Sequence, residues 1–171
     1  VTKNRPSKVT RETVMSERAN QHSSDSIIRE KLIILLIIEN PFLISKYLEE
    51  LGSISFSNIE FSKACSIIVE YIVSKDDKNL ENLDIKSYLI EKGFQKQILD
   101  IYSPALLNTY QPLLRNDEKE VERSFLEFLN LQEKFTENKE VDQAVIDLEE
   151  NMNEENFEKF LRLKKESLDR N

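Results

Sequence analysis

The chain has 171 residues, with 32 acidic and 24 basic side chains, a net charge of −8, one His, one Cys and two Gly. So few glycines argue against a β-sandwich or barrel, whose turns need them, and exclude a Gly-rich loop for nucleotide phosphates. A single Cys excludes a disulfide framework or a Cys-rich zinc site within the chain and suits a reducing, cytoplasmic compartment. The acidic balance argues against tight direct binding of nucleic acid.

The length predicts one globular domain with an appendage. The longest apolar run, residues 32–38, has seven residues. A membrane-spanning helix needs about 20, so we interpret this run as a buried helix. The chain starts with Val1 and carries no apolar signal region at its start, so we interpret it as a piece of a longer protein.

Residues 1–24 differ in composition from the rest of the chain. They carry five basic and two acidic side chains, a net +3, so the remainder carries −11. Their apolar residues form no stripe, and we therefore predict a solvated flexible linker. The alternative is a basic arm that contacts nucleic acid, but three net charges make a weak patch.

Ser24 is placed to cap a first helix over residues 25–39, whose apolar side chains lie nearly all round it. Such a helix belongs at the centre of the core. Asn40, followed by Pro, predicts the cap of a second helix that runs to residue 51, and Gly52 predicts its stop.

Residues 57–60 match a capping box, with Ser57 as the cap and Glu60 as its partner, and predict the start of a third helix. Cys65 lies inside this helix, and we interpret it as a small buried residue. Residues 74–83 are predicted as a polar loop. Asp84 then caps a short fourth helix that ends at Gly93.

A fifth helix is predicted over residues 94–102, and Ser103-Pro104 starts a sixth. Asn116 or Asp117 starts a long helix. A break is predicted at 136–139, although the helix could also run through these residues, and a turn at 151–153 precedes the last helix. No segment alternates with a period of two, so we predict no strand. The predicted fold is all-α, with a helical bundle over 25–135, ending in the long helix, and a C-terminal helical hairpin over 136–171.

The sequence gives little support for catalysis. His22, the only His, lies in the predicted linker. Asp76-Asp77 lacks the ligand spacing and the central Gly of a calcium loop, so a solvated turn is the better interpretation. No His-Glu-x-x-His or Cys-x-x-Cys motif occurs. We therefore predict no catalytic, cofactor-binding or metal-binding residue in this chain.

The last helix offers residues for surface recognition. At 100° per residue, Phe157, Leu161 and Leu168 point within about 40° of one another, and we expect this stripe to pair the hairpin. Phe160 and Leu163 lie to one side and would form a second, partly exposed edge. Either this edge packs against the bundle or it binds a partner, in which case Asp at Phe160 or Leu163 should weaken binding and spare the core.

The order of these segments resembles the C-terminal helicase-interaction domain of bacterial DNA primase, in its alphaproteobacterial form. The residues that carry the resemblance are the opening 29–41 (Arg-Glu-Lys, an apolar helix, then Asn-Pro), Pro104-Ala105-Leu106, the aromatic Phe125, and residues 148–161. It covers residues 25 to 168. Phe125 stands where many relatives would have Trp, which keeps an aromatic core role.

The resemblance implies a helical bundle, a long helix and a C-terminal hairpin that docks on the N-terminal domains of the hexameric replicative helicase. Phe157, Phe160, Leu161, Leu163 and Leu168 would be the helicase-binding residues. The primer-synthesising chemistry would lie upstream, in the DNA primase of which this fragment would be a non-catalytic part. Residues 1–24 would be its tether.

Two other hypotheses remain open at this point. One is the N-terminal domain of the replicative helicase itself, which is similar in fold to the primase bundle. The other is an unrelated helical protein-interaction adaptor.

Overall fold

The computed structural model describes the backbone of residues 8–74, 83–114 and 117–169 and, in the first helix, side chains from Ser24 onward. Within these ranges there is no strand, which confirms the predicted all-α class. The helices are α1 (Lys8–Glu39), α2 (Phe42–Lys46), α3 (Leu48–Ser53), α4 (Ile59–Val73), α5 (Ile85–Glu91), α6 (Gln95–Ile101), α7 (Pro104–Leu114), α8 (Glu118–Glu150) and α9 (Glu154–Asp169).

The first helix begins earlier than predicted. The backbone is helical from Lys8, so most of the segment interpreted as a linker continues α1 instead of preceding it. Residues 8–24 contain neither Gly nor Pro. Once a helix has nucleated on its buried half, adding a residue costs little, and no apolar stripe is required for the extension.

The second predicted helix is two short helices. At Tyr47 the backbone leaves the helical region (φ −124°, ψ 37°) and separates α2 from α3. The Tyr47 side chain reaches α8, where its hydroxyl donates to Glu122 and its ring centroid lies 5.6 Å from that of Phe125. Gly52 does not stop the helix, because α3 continues to Ser53.

Two predicted helix caps differ from the observed ones, one in the helix that is capped and the other in the residue that caps it. The Asn40 side chain does not cap α2, because its Nδ2 donates to the carbonyl of Leu36 at 3.1 Å and so closes the end of α1. The cap of α4 is Asn58, not Ser57, since Asn58 Oδ1 accepts from the backbone N–H groups of Glu60 and Phe61.

Most other boundaries agree with the sequence prediction. Asp84 caps α5 by accepting from Ser87 N at 2.8 Å, and Gly93 (φ +92°) follows the end of that helix. Pro104 starts α7. Asp117 caps α8 by accepting from Glu120 N at 3.0 Å. The predicted loop at 74–83 lies mostly outside the described residues.

The predicted break at 136–139 is absent, and α8 continues from Glu118 to Glu150. Residues 118–150 contain neither Gly nor Pro, so nothing in this stretch ends a helix. The Thr136 hydroxyl, at the start of the predicted break, donates to the carbonyl of Gln132 one turn back at 3.1 Å. Thr136 is thereby accommodated inside the helix.

The second half of α1 is the centre of the core, as predicted. Residues 32–38 are all buried, and Leu35 is completely enclosed. They pack among fully buried side chains of the surrounding helices, such as Ile68, Ile101 and Phe125. Cys65 belongs to this core, and burial raises the pKa of its thiol to about 12. The thiol is therefore uncharged at neutral pH and acts as a small apolar side chain.

A buried polar network joins α1 and α8 to the segment between α3 and α4. The Glu30 carboxylate, which is fully buried, accepts from the backbone N–H groups of Ser57 (2.5 Å) and Asn58 (3.1 Å). Gln132 Nε2, also buried, donates to Glu30 Oε1 at 3.0 Å and to the carbonyl of Ser55 at 2.9 Å. One carboxylate thus satisfies polar groups from two other parts of the chain.

Arg29 completes the network on its outer side. Its Nε donates to Gln132 Oε1 at 3.1 Å, and its guanidinium lies 5.6 Å from the ring centroid of Phe135. Partial burial lowers the pKa of Arg29, and the neighbouring Glu30 and Asp25 carboxylates oppose that shift. The guanidinium remains charged at any physiological pH.

Candidate partner-binding surface

The candidate site is the hairpin formed by the second half of α8 and α9. A short turn connects the two helices. Asn153 Oδ1 accepts from Asn156 N at 2.8 Å and caps α9. The Asn156 side chain reaches back, and its Nδ2 donates to the carbonyls of Asp147 (3.1 Å) and Asn151 (2.8 Å). The start of α9 is therefore tied to the end of α8.

Polar contacts also fix the rotation of α9 about its axis. Lys159 Nζ lies 2.9 Å from Asp147 Oδ2, and Gln143 Nε2 donates to Asp147 Oδ1 at 2.9 Å. The hydrogen bonds from Gln143 and Lys159 hold the pKa of the Asp147 carboxyl below its ordinary value. Because Asn156 and Lys159 both reach Asp147, the side of α9 between them is turned towards α8.

The face of α9 that packs on α8 is not the predicted one. Its four partly buried side chains are those of Asn156, Phe160, Leu163 and Ser167. Leu163 lines a small cavity together with Val141 of α8. We call these four residues the α9 seam. Phe160 and Leu163, expected to form a second, partly exposed edge outside the hairpin interface, thus lie partly buried within that interface.

The three residues expected in the hairpin interface are exposed instead. The exposed fraction is 49% for Phe157, 48% for Leu161 and 68% for Leu168. They point about 110° away from the α9 seam, at 100° per residue. Met152 in the turn is 84% exposed and adds a flexible apolar side chain at one end. We call Met152, Phe157, Leu161 and Leu168 the outer face.

Basic side chains lie beside this face. Lys164 and Lys165 are exposed between Leu161 and Leu168. The Lys164 ammonium lies 5.5 Å from the ring centroid of Phe160, so it bridges the α9 seam and the outer face. The outer face therefore combines large apolar side chains with two cations. The α9 seam, on another side of the same helix, already packs against α8.

The residues that set this rotation were not predicted from the sequence. The number of apolar residues on each face of α9 favoured the stripe with three of them. The seam has only two, flanked by Asn156 and Ser167. Asn156, two residues after the start of α9, could have indicated this rotation from the sequence. A side-chain amide at that position can reach the carbonyls at the end of the preceding helix that have no partner within it.

The described residues offer little for metal binding. Among them, no group of three or more His, Cys, Asp or Glu side chains could hold a metal ion. The His22 side chain and Asp76-Asp77 lie outside the described residues. In the same part of the chain, no helix is long and apolar enough to cross a bilayer.

Comparisons of the chain with protein-family models, with curated proteins and with solved structures found no match.

Proposed function

We propose that this chain is the helicase-binding domain of a bacterial DNA primase. In this role the outer face of the hairpin docks on the N-terminal domains of the replicative DNA helicase. Docking holds the primer-synthesising enzyme at the replication fork, in the cytoplasm. The fragment itself would supply binding, and the catalytic chemistry would come from the rest of the primase.

The observation that carries the proposal is the outer face. Phe157, Leu161 and Leu168 are each about half exposed or more, on one side of one helix. Leaving large apolar side chains together in water is unfavourable, and such faces typically mark sites where another protein binds. An amphipathic helix docked in an apolar groove is a common form of this recognition.

The partner's identity rests on the sequence resemblance, and the fold supports it in two respects. The order of elements, a bundle around α1 followed by long α8 and the α8–α9 hairpin, agrees with what the resemblance implies. Arg29 and Glu30 belong to the buried polar network, and the apolar run that follows them lies at the centre of the core. The matched residues therefore lie at structurally demanding positions.

Replacing Phe157 or Leu161 by Asp is expected to weaken binding to the N-terminal domain of the cognate replicative helicase at least tenfold, about 1.4 kcal/mol. The physical reason is that the partner's apolar surface would have to desolvate a carboxylate. Calorimetric titration of the full chain measures this. The melting temperature should stay nearly unchanged, because both side chains are already half in water.

Ile146→Asp is the matched control. Ile146 is 47% exposed, comparable to Phe157 and Leu161, but it lies on the side of α8 away from α9, about 145° from the contact with that helix. Its substitution should leave the affinity nearly unchanged. If all three variants bind like the original chain, the helicase does not dock on the outer face. If the original chain does not bind the helicase at all, the proposed function is wrong.

Asp in place of Phe160 or Leu163 would change the stability of the hairpin as well as the affinity for the helicase, so these variants do not test binding alone. Both side chains are half-buried in the α9 seam, so Asp there would loosen the hairpin as well. This revises the expectation from the sequence that these two sites test the binding edge alone.

A further inference from the structure

The exposed apolar residues of α9 belong to a longer stripe with the spacing of a coiled-coil seam. Its members follow one another at alternating intervals of three and four, and they are Glu154, Phe157, Leu161, Lys164 and Leu168. We call these five residues the outer stripe. At 100° per residue they lie within about 80° of one another. Such a stripe packs against an equivalent stripe on a second helix, and α8 is not that helix, because the three apolar members stay exposed.

Opposite charges lie on one flank of the outer stripe. Glu158 and Lys165 are both exposed, seven residues apart, and each directly follows a member of the stripe. They therefore occupy equivalent heptad positions, about 60–80° to the same side of its centre. Within the described part of the chain, neither side chain forms an ion pair. This flank is thus negative towards the start of α9 and positive towards its end.

This order of charges matches an antiparallel helix of the same sequence. A two-fold axis between two such helices reverses their direction and keeps each flank on its own side. Glu158 of each copy then lies opposite Lys165 of the other, and Phe157 packs level with Leu168 of the second copy. In a parallel pair, Lys164 would meet the same lysine of the other copy inside the seam, where like charges repel. The charges therefore favour the antiparallel arrangement.

Lys164 is compatible with a position inside this seam. Its ammonium lies 5.5 Å from the ring centroid of Phe160, so the charged end is directed to the flank away from Glu158. The aliphatic stem can pack beside Leu161 of the second copy while the ammonium stays in water. A polar residue within a seam costs stability and fixes the register of the two helices.

We infer that the outer stripe of α9 binds the outer stripe of a second copy of this chain, antiparallel and related by a two-fold axis. The two α8–α9 hairpins then form a four-helix arrangement. The contact is about 21 Å long and one helix wide, about 10 Å, which is much smaller than the roughly 800 Å² per partner of stable complexes. We therefore expect a weak dimer, with a Kd on the order of 10–100 µM.

The dimer covers the face that the helicase would use. Phe157, Leu161 and Leu168 cannot contact a second copy and the helicase at once, so the two partners exclude each other. This consequence rests on the proposed function, whereas the dimer itself does not. Self-association therefore protects the apolar face in the absence of the helicase, and helicase binding separates the two copies.

Sedimentation of the full chain from about 5 to about 500 µM tests the dimer without the helicase, and we expect a monomer–dimer equilibrium. Glu158→Lys and Lys165→Glu should each raise the dimer Kd at least tenfold, because like charges then lie opposite each other. Glu158→Lys reduces the net negative charge of −8, so its effect cannot come from overall repulsion. A one-to-one mixture of the two variants brings opposite charges together again and should restore the dimer.

Glu155→Lys and Arg162→Glu are the matched controls. Both residues are exposed on α9 but lie about 120–140° from the centre of the outer stripe. They repeat the two charge changes and should leave the dimer Kd nearly unchanged. Circular dichroism verifies that all four variants keep the fold, as expected for substitutions of exposed side chains.

Three results would overturn the dimer inference. A chain that stays monomeric up to about 1 mM would show that the outer stripe does not pair with itself. Equal association of every variant would place the contact on another face. A mixture that stays monomeric, although each charge variant alone loses the dimer, would show that Glu158 and Lys165 do not meet.

The exclusion between dimer and helicase has its own measurement. The apparent affinity for the N-terminal domain of the cognate helicase should fall as the chain concentration is raised through the dimer Kd. An affinity that does not depend on chain concentration would overturn the exclusion. A chain that dimerises but never binds the helicase would refute the proposed function and leave the dimer inference standing.

Discussion

Replacing Glu30 by Ala is expected to destabilise the fold by about 2–4 kcal/mol, since a buried donor left without an acceptor costs on the order of 1–3 kcal/mol and partly buried donors cost less. The carboxylate accepts from the backbone N–H groups of Ser57 and Asn58 and from the Gln132 amide. Its removal deprives three donors from two distant segments of their acceptor. Denaturant unfolding followed by circular dichroism measures the loss.

Two comparisons make this test specific. Glu60→Ala removes an exposed carboxylate that pairs with Lys63 on the surface, and it should cost less than about 0.5 kcal/mol. Gln132→Ala disrupts the same network, so combining it with Glu30→Ala should cost less than the sum of the two single changes. A loss below about 1 kcal/mol for Glu30→Ala would mean that water replaces the carboxylate and that the network is not needed for stability.

Leu35→Ala is expected to cost about 2–5 kcal/mol, the range for emptying a large buried site. Leu35 is completely enclosed at the centre of the apolar run, with core residues of the neighbouring helices around it. The same unfolding measurement applies. Leu99→Ala is the matched control, because Leu99 is 67% exposed and should cost less than about 0.5 kcal/mol. A similarly small loss for Leu35 would show that α1 is not the central helix.

The sequence predicted those parts of the fold that local physics determines. The apolar run of α1 has no polar side to expose, so its burial followed directly from composition. Asp84 and Asp117 cap helices because their carboxylates reach backbone N–H groups only three residues away. In both cases the relevant contacts lie within one or two turns of the chain.

The sequence did not predict features that depend on contacts between distant segments. Glu30 looked like an ordinary polar position beside the apolar run, and its partners lie 27, 28 and 102 residues away. The interruption at Tyr47 depends on α8, where Tyr47 meets Glu122 and Phe125. Helical spacing alone carries no information about such partners.

The candidate site likewise depends on contacts that helical spacing alone does not predict. The sequence named the apolar residues of the last helix as candidates, but their assignment to the inner and outer faces was wrong. Counting apolar residues favoured Phe157, Leu161 and Leu168 as the inner stripe. The contacts of Asn156 and Lys159 with Asp147 instead turn that stripe outward. A few polar contacts at the turn therefore decide which apolar side chains a partner can reach.

Methyl NMR of the full chain, titrated with the N-terminal domain of the cognate replicative helicase, tests the central claim most directly. Met152, Leu161 and Leu168 carry methyl groups on the outer face, and Ile59 and Leu99 carry exposed methyl groups on the bundle. We expect the resonances of Met152, Leu161 and Leu168 to shift or broaden on binding while those of Ile59 and Leu99 stay in place. Saturating helicase that moves the bundle resonances and leaves Leu161 and Leu168 unchanged would contradict docking through the hairpin.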